Sequence, residues 1–168
     1  MSGNEALHTG AWADRQSMIR TGAIAGVIGG CIIWVYEAFV WVGAQHLLPL
    51  AGIPRNATGL VFGKDVHESL GALAYVLGTG IHFFFSALWG VGFAAIWPWF
   101  RKRGYEATFV ALFYAMVAWI VMHVAIILAG HEHPDYTNPV VIIGGFMSHF
   151  VFTVTLALII KRKFAAEA

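Results

Sequence analysis

Charged side chains are scarce in this chain: of 168 residues, 11% are Asp, Glu, Lys or Arg. A water-soluble domain carries about 25%. So little charge cannot cover a water-facing surface, and the chain reads as one integral membrane domain. Cysteine is nearly absent too. The single Cys31 lies inside an apolar run. It excludes an intrachain disulfide and is expected to be a small buried apolar side chain. No basic run is interleaved with stacking aromatics, which argues against nucleic acid as a partner. There is no phosphate-binding glycine loop, no Gly-x-Ser-x-Gly, no Cys-x-x-Cys and no His-Glu-x-x-His. Paired Glu-x-x-His motifs are also missing, which argues against a di-iron carboxylate site.

What is present is apolar: 59% of residues are hydrophobic and the mean hydropathy is +0.72. Four runs are long enough to cross a bilayer, and the spacing predicts helices over 21–44, 70–99, 105–130 and 139–160. The expected fold is an all-α, four-helix membrane bundle. Residues 1–20 are expected to form a polar N-terminal tail that ends in a short surface helix, and residues 164–168 a C-terminal tail. The tail lacks the short basic lead of a secretory signal. Residues 45–69 read as a loop, because Pro49, Gly52, Pro54, Gly59 and Gly63 interrupt regular structure. Its apolar residues suit the membrane interface. Asn56-Ala57-Thr58 fits a glycosylation acceptor, a weak pattern on its own.

Eight basic residues (Arg15, Arg20, Arg101, Lys102, Arg103, Lys161, Arg162, Lys163) fall on one side of the four spans. Arg55 and Lys64 fall on the other. Basic residues favour the cytoplasmic side, so both termini and the turn near Gly104 are expected there. Trp97, Pro98 and Trp99 mark an interface.

The second span carries a face of small residues, Ala74, Gly78, Ser86, Gly90 and Ala94, interrupted only by His82. Residues four apart share one helix face, and small residues let helices approach closely in lipid. Gly22, Gly26 and Gly30 repeat the motif in the first span and are the expected helix-packing stripe. The third span lines Ala107, Ala111, Ala115, Trp119 and His123 along one face. The fourth does the same with Gly145, His149, Thr153 and Ala157.

Each of these faces except the first carries one histidine, and the first span carries Glu37 instead. From helix rise, Glu37 and His123 lie roughly 10 Å from the outer ends, and His82 and His149 roughly 15–18 Å. Polar groups at such depths cost several kcal/mol if they face lipid. Glu37, His82, Ser86, His123 and His149, with Trp34 beside them, are therefore expected to face one another as a buried polar site. Three chemistries compete: a polar core that fixes packing, a proton-linked site, and a haem or transition-metal site held by facing histidines. No cofactor is the leading expectation.

A second, weaker metal candidate is His131, His133 and Asp135 in the polar loop after the third span. With His46 and His67, the outer loops hold four histidines. All would gain charge below about pH 6.5, which suggests an acid-responsive outer face; an ordinary solvated loop is the simpler reading.

Ala25-Gly26-Val27 followed by Trp34 and Glu37 resembles the first helix of the YagU-like family of small bacterial inner-membrane proteins. So do His82-Phe83-Phe84-Phe85-Ser86 with Val91-Gly92, then His123, His149 and the closing pair Lys161-Arg162. The resemblance runs from Ala25 to Arg162. It implies a multi-pass inner-membrane protein with cytoplasmic termini, in which Trp34, Glu37, His82, Ser86, His123 and His149 share a site. It carries no enzymatic activity. The chain departs from the pattern after Glu37: Pro54-Arg55 comes 17 residues later, where the family has a proline-arginine pair almost at once.

The functional expectation is a non-enzymatic protein whose buried polar site is proton-linked and serves acid tolerance. The alternatives are a metal- or haem-binding subunit of a membrane redox complex, and a structural subunit that docks through Gly22, Gly26 and Gly30. The expected partners are the lipid bilayer and a second copy or membrane complex.

Overall fold

The computed structural model describes residues 3–47, 49–128 and 135–165, with residues 3–14, 64, 66, 67 and 165 described by backbone alone. Among the described residues six α-helices follow one another: α1 (Gly3–Glu37), α2 (Gly52–Phe62), α3 (Lys64–Ser69), α4 (Leu73–Lys102), α5 (Ala107–Leu128) and α6 (Pro139–Ala165). Among the described residues there is no strand. Four segments are long and apolar enough to cross a membrane: Arg15–Ala44, Leu73–Lys102, Ala107–Leu128 and Pro139–Phe164. The shortest has 22 residues, roughly 33 Å at 1.5 Å per residue. That spans a hydrocarbon core of about 30 Å. The chain is thus an all-helical, multi-pass membrane protein.

The sequence-based boundaries shift in three places. The expected tail before residue 21 is helical from Gly3 onward and continuous with the first span. No proline lies between Gly3 and Glu37, so nothing stops the helix at the water boundary. The expected 45–69 loop contains α2 and α3. Pro54 lies in the first turn of α2, where a missing N–H is tolerated. The last helix runs to Ala165, past the expected end at 160 and into the expected tail.

The end of the first span is unusual. From Ala38 to Ala44 the helix widens into π geometry, and the Gln45 N–H donates to the Val40 carbonyl at 2.8 Å. His46 then takes φ +52°, and the helix stops. The turn between α4 and α5 is built differently. Gly104 adopts φ +78°, a conformation open to glycine without penalty. Its N–H donates to the Arg101 carbonyl, and that of Tyr105 to the Phe100 carbonyl. These two bonds cap α4, with the Tyr105 and Phe100 rings 5.6 Å apart as the accompanying apolar contact.

The small-residue face of α4 is buried along Ala74, Gly78, Ser86, Gly90 and Ala94. Two helices share it. α2 covers the first part: Thr58 is buried and its hydroxyl donates to the Ala74 carbonyl at 2.6 Å, while the Pro54 carbonyl lies against Gly78. α1 covers the remainder. A methyl group added at Gly22 would meet the Gly90 carbonyl oxygen at 2.7 Å, one at Gly26 would strike the Ser86 backbone, and one at Gly30 would meet Ser86 Oγ at 2.7 Å. The glycine stripe is therefore a packing face, as expected, but α4 of the same chain occupies it. Cys31, expected to be buried, is exposed on the outside of the bundle.

α6 packs on α1 through Phe152, which lies against Gly29. α5 packs on α6, where the Thr153 hydroxyl donates to the Ala111 carbonyl at 2.9 Å. The apolar core lies in the half of the bundle nearer the basic residues. It gathers Ala25, Phe93, Trp97, Val110, Tyr114, Leu156 and Ile160 among others. At that end Arg101 Nη1 donates to the Phe164 carbonyl at 2.7 Å, and Lys161 pairs with Glu106 at 3.4 Å. Both contacts are exposed and contribute little. In the other half α4 and α5 separate, leaving an apolar groove of about 340 Å³ lined by Leu60, Val61, Phe85, Trp89, Val121 and Met122 among others.

Gly26→Ala is expected to destabilise the bundle by about 2 kcal/mol, in the range for overpacking. Gly80 has open space around it, so Gly80→Ala should leave stability unchanged or raise it by about 0.5–1 kcal/mol. Denaturation midpoints in mixed detergent, with the two variants side by side, check the contrast.

Candidate functional site

The expected polar residues form two groups. The first lies between α1 and α4. The Trp34 and His82 rings stack, with centroids 5.5 Å apart and an interplanar angle of 13°. Phe83 stands edge-on to both. His82 Nε2 lies 3.0 Å from the Gly30 carbonyl oxygen. A carbonyl can only accept, so Nε2 carries the proton and Nδ1 keeps a free lone pair in the neutral ring. Ser86, one turn along, is buried and donates to the His82 carbonyl at 2.8 Å. The glycine at position 30 matters here: it leaves room for Ser86 and gives His82 access to a backbone carbonyl.

Glu37 lies one turn beyond Trp34, at the junction of α-helix and π-helix. It is partly buried. Among the described residues no side chain or backbone group hydrogen-bonds its carboxylate. Neighbouring groups anchor this end of the span to α6. Tyr36 Oη reaches the Gly144 carbonyl at 3.5 Å, and the Trp41 indole lies against Gly144.

The second group lies between α5 and α6. The His123 and His149 ring centroids are 6.0 Å apart. His123 Nδ1 lies 2.7 Å from the Trp119 carbonyl oxygen, and His149 Nδ1 lies 2.8 Å from that of Gly145. Both neutral rings are therefore protonated at Nδ1, the opposite tautomer to His82, and both keep a lone pair on Nε2. Ser148 is buried and donates to the Gly145 carbonyl at 2.8 Å, with its oxygen 3.3 Å from His149 Nδ1. Trp119 tilts over His123 at 4.6 Å, and Tyr136, from the turn before α6, meets His123 at 5.6 Å. Tyr136 lies outside the spans, and burial raises its hydroxyl pKa above the ordinary value.

The expectation of one shared site is thus corrected. His82, Trp34 and Ser86 come together, and His123 and His149 come together. No described contact joins the two groups or brings Glu37 to a histidine. Each histidine meets a carbonyl within reach of its own or the adjacent helix, and those bonds fix three rings in two places. The indole N–H groups of Trp34 and Trp119 are buried without an acceptor among the described residues. The part played by Trp119 was visible as its spacing of four from His123. Tyr136 had no such signal, since a loop tyrosine carries no periodicity.

His131 and His133 lie outside the described residues. Asp135, the third member of that candidate, accepts from the backbone N–H and hydroxyl of Thr137 at 2.8 and 2.6 Å. It therefore shapes the turn leading into α6, whose first turn Asn138 caps through Val140 N–H at 3.0 Å. Among the described residues no three His, Cys, Asp or Glu side chains gather as a metal site. A surface hollow of about 620 Å³ lies at the basic end between α1 and α6, lined by Gln16, Arg20 and Ile159 among others, and holds none of the candidate residues. No known protein family, curated protein or solved structure matches the chain.

His82→Phe retains an aromatic ring against Trp34 but removes the N–H that reaches Gly30. Its expected cost is about 1 kcal/mol, the size of one interhelical polar contact in a membrane. Trp34→Ala removes the stack itself and should cost more. Unfolding in mixed detergent checks the order of the two.

Proposed function

We propose that this chain is a non-enzymatic protein of the bacterial inner membrane, with both termini cytoplasmic, whose Glu37 takes up and releases protons in response to external acid. The observation that carries the reading is the isolation of Glu37. Among the described residues its carboxylate has no counter-charge or hydrogen-bond donor, and a carboxylate so placed in a membrane span neutralises itself by taking a proton. It lies at an α-to-π junction, where backbone irregularity often accompanies function. The His82–Trp34 stack is one turn deeper and presents an unprotonated Nδ1 in its neutral form. A proton released from Glu37 has an acceptor of suitable chemistry in that direction.

Orientation rests on the positive-inside bias. Arg101 and Lys161 belong to one end of the bundle, where α1 begins and α4 and α6 finish.

The test is proton movement into liposomes that hold the purified protein and an internal pH-sensitive dye. After an external acid pulse, wild type is expected to acidify the lumen faster than protein-free liposomes. Glu37→Gln, which keeps the size of the side chain and loses its titration, should fall to the protein-free rate. Equal rates for wild type and Glu37→Gln, with both proteins folded, would reject a proton-linked role for Glu37.

A further inference from the structure

We propose that His123 and His149 form an intramembrane site for a monovalent, soft transition-metal ion, copper(I) in chemical class, held by the two Nε2 atoms. The inference is independent of the role given to Glu37. Its first support is the tautomer of both rings. A histidine that ligates a metal through Nε2 characteristically donates its Nδ1–H to a carbonyl or carboxylate, which fixes the ring and frees the lone pair. Both rings have that arrangement, through Trp119 and Gly145 carbonyls four residues back on their own helices. Ser148 and Trp119 pack around them.

The second support is distance. At about 2.0–2.1 Å per metal–nitrogen bond, two imidazoles sharing one ion keep their ring centres roughly 5–6.5 Å apart. The observed separation is 6.0 Å. The separation of the ring centres thus falls in the range for two imidazoles on one ion. The two rings come from different helices, α5 and α6, which Thr153 already ties together one helical turn further along α6.

The nature of the ion follows from the rest of the surroundings. Sodium, potassium, magnesium and calcium prefer oxygen ligands, whereas imidazole suits late transition metals. Among the described residues no third carboxylate, thiol or histidine completes a site. Two neutral imidazoles as the proposed ligand set leave a divalent ion with its full charge in a low-dielectric environment. The solvation cost grows with the square of the charge, so it would be about four times that of a monovalent ion. A monovalent d10 ion is satisfied by two nitrogen ligands in a near-linear arrangement. His123 lies in the last two turns of α5, and the Tyr136 ring of the turn before α6 stands edge-on to it.

Two measurements on the full-length protein in detergent test this. The first titrates silver(I), as a redox-inert probe, and copper(I) under reductant against a colorimetric chelator. The expected result is one ion per wild-type chain, with affinity lowered at least about tenfold, or about 1.4 kcal/mol, in His123→Gln and in His149→Gln. The second needs no variant: X-ray absorption on the copper(I)-loaded wild type is expected to show two nitrogen neighbours with imidazole scattering. Sulfur neighbours, which would point to Cys31 or a methionine, overturn the proposal. So do four or more neighbours, binding undiminished in either variant, a zinc(II) affinity above that for silver(I), or no ion retained by wild type.

Discussion

The backbones of α1 and α4 touch, and the remaining structure is arranged around that contact. Lipid tails are as apolar as leucine, so burial of apolar surface does not drive helices together in a membrane. Close packing must do it. Gly22, Gly26 and Gly30 bring α1 against Ser86 and Gly90 with no space for a methyl group between them. At that separation a histidine on α4 can reach a carbonyl on α1, and a tryptophan on α1 can stack on that histidine. The position of Glu37, one turn further, follows from the same register.

The bundle has two unlike halves. Near the basic residues, large apolar side chains such as Phe93, Trp97 and Leu156 fill the interior. Toward the other end, the interior polar groups increase, α4 leans on α2 instead of α5, and the groove between α4 and α5 opens. The separation keeps His82 on one side and the His123–His149 pair on the other. A polar group in lipid seeks the nearest acceptor, and here the nearest acceptors are backbone carbonyls. The histidines are satisfied within pairs of helices and do not need to converge.

Most of the architecture could be read from spacing. The small face of α4 and the glycine stripe of α1 each predicted a close helix contact, and the two faces meet. The four spans were legible because apolar length is a strong signal. The helical parts of the 45–69 segment were not, since Pro54, Gly52 and Gly59 look like breakers until α4 is there to support Thr58 and Pro54. Rotation between helices was not legible. Glu37 and the histidines fall in separate groups. Sequence periodicity says which face of one helix is small, and it does not say which neighbour that face meets. For the same reason Cys31, one residue after Gly30, was assigned to the interior and lies outside.

The α1–α4 contact also sets an order for biosynthesis. Gly26 meets Ser86, sixty residues later in the chain. α1 is therefore made, and enters the bilayer, well before its partner face exists. During that interval its glycine face is solvated by acyl chains. The pairing of α5 with α6 closes over a much shorter stretch of chain. A chain halted after α3 contains the whole glycine stripe and nothing for it to grip, so the early part of this protein is held in the membrane by hydrophobic length alone until residue 90 has been added.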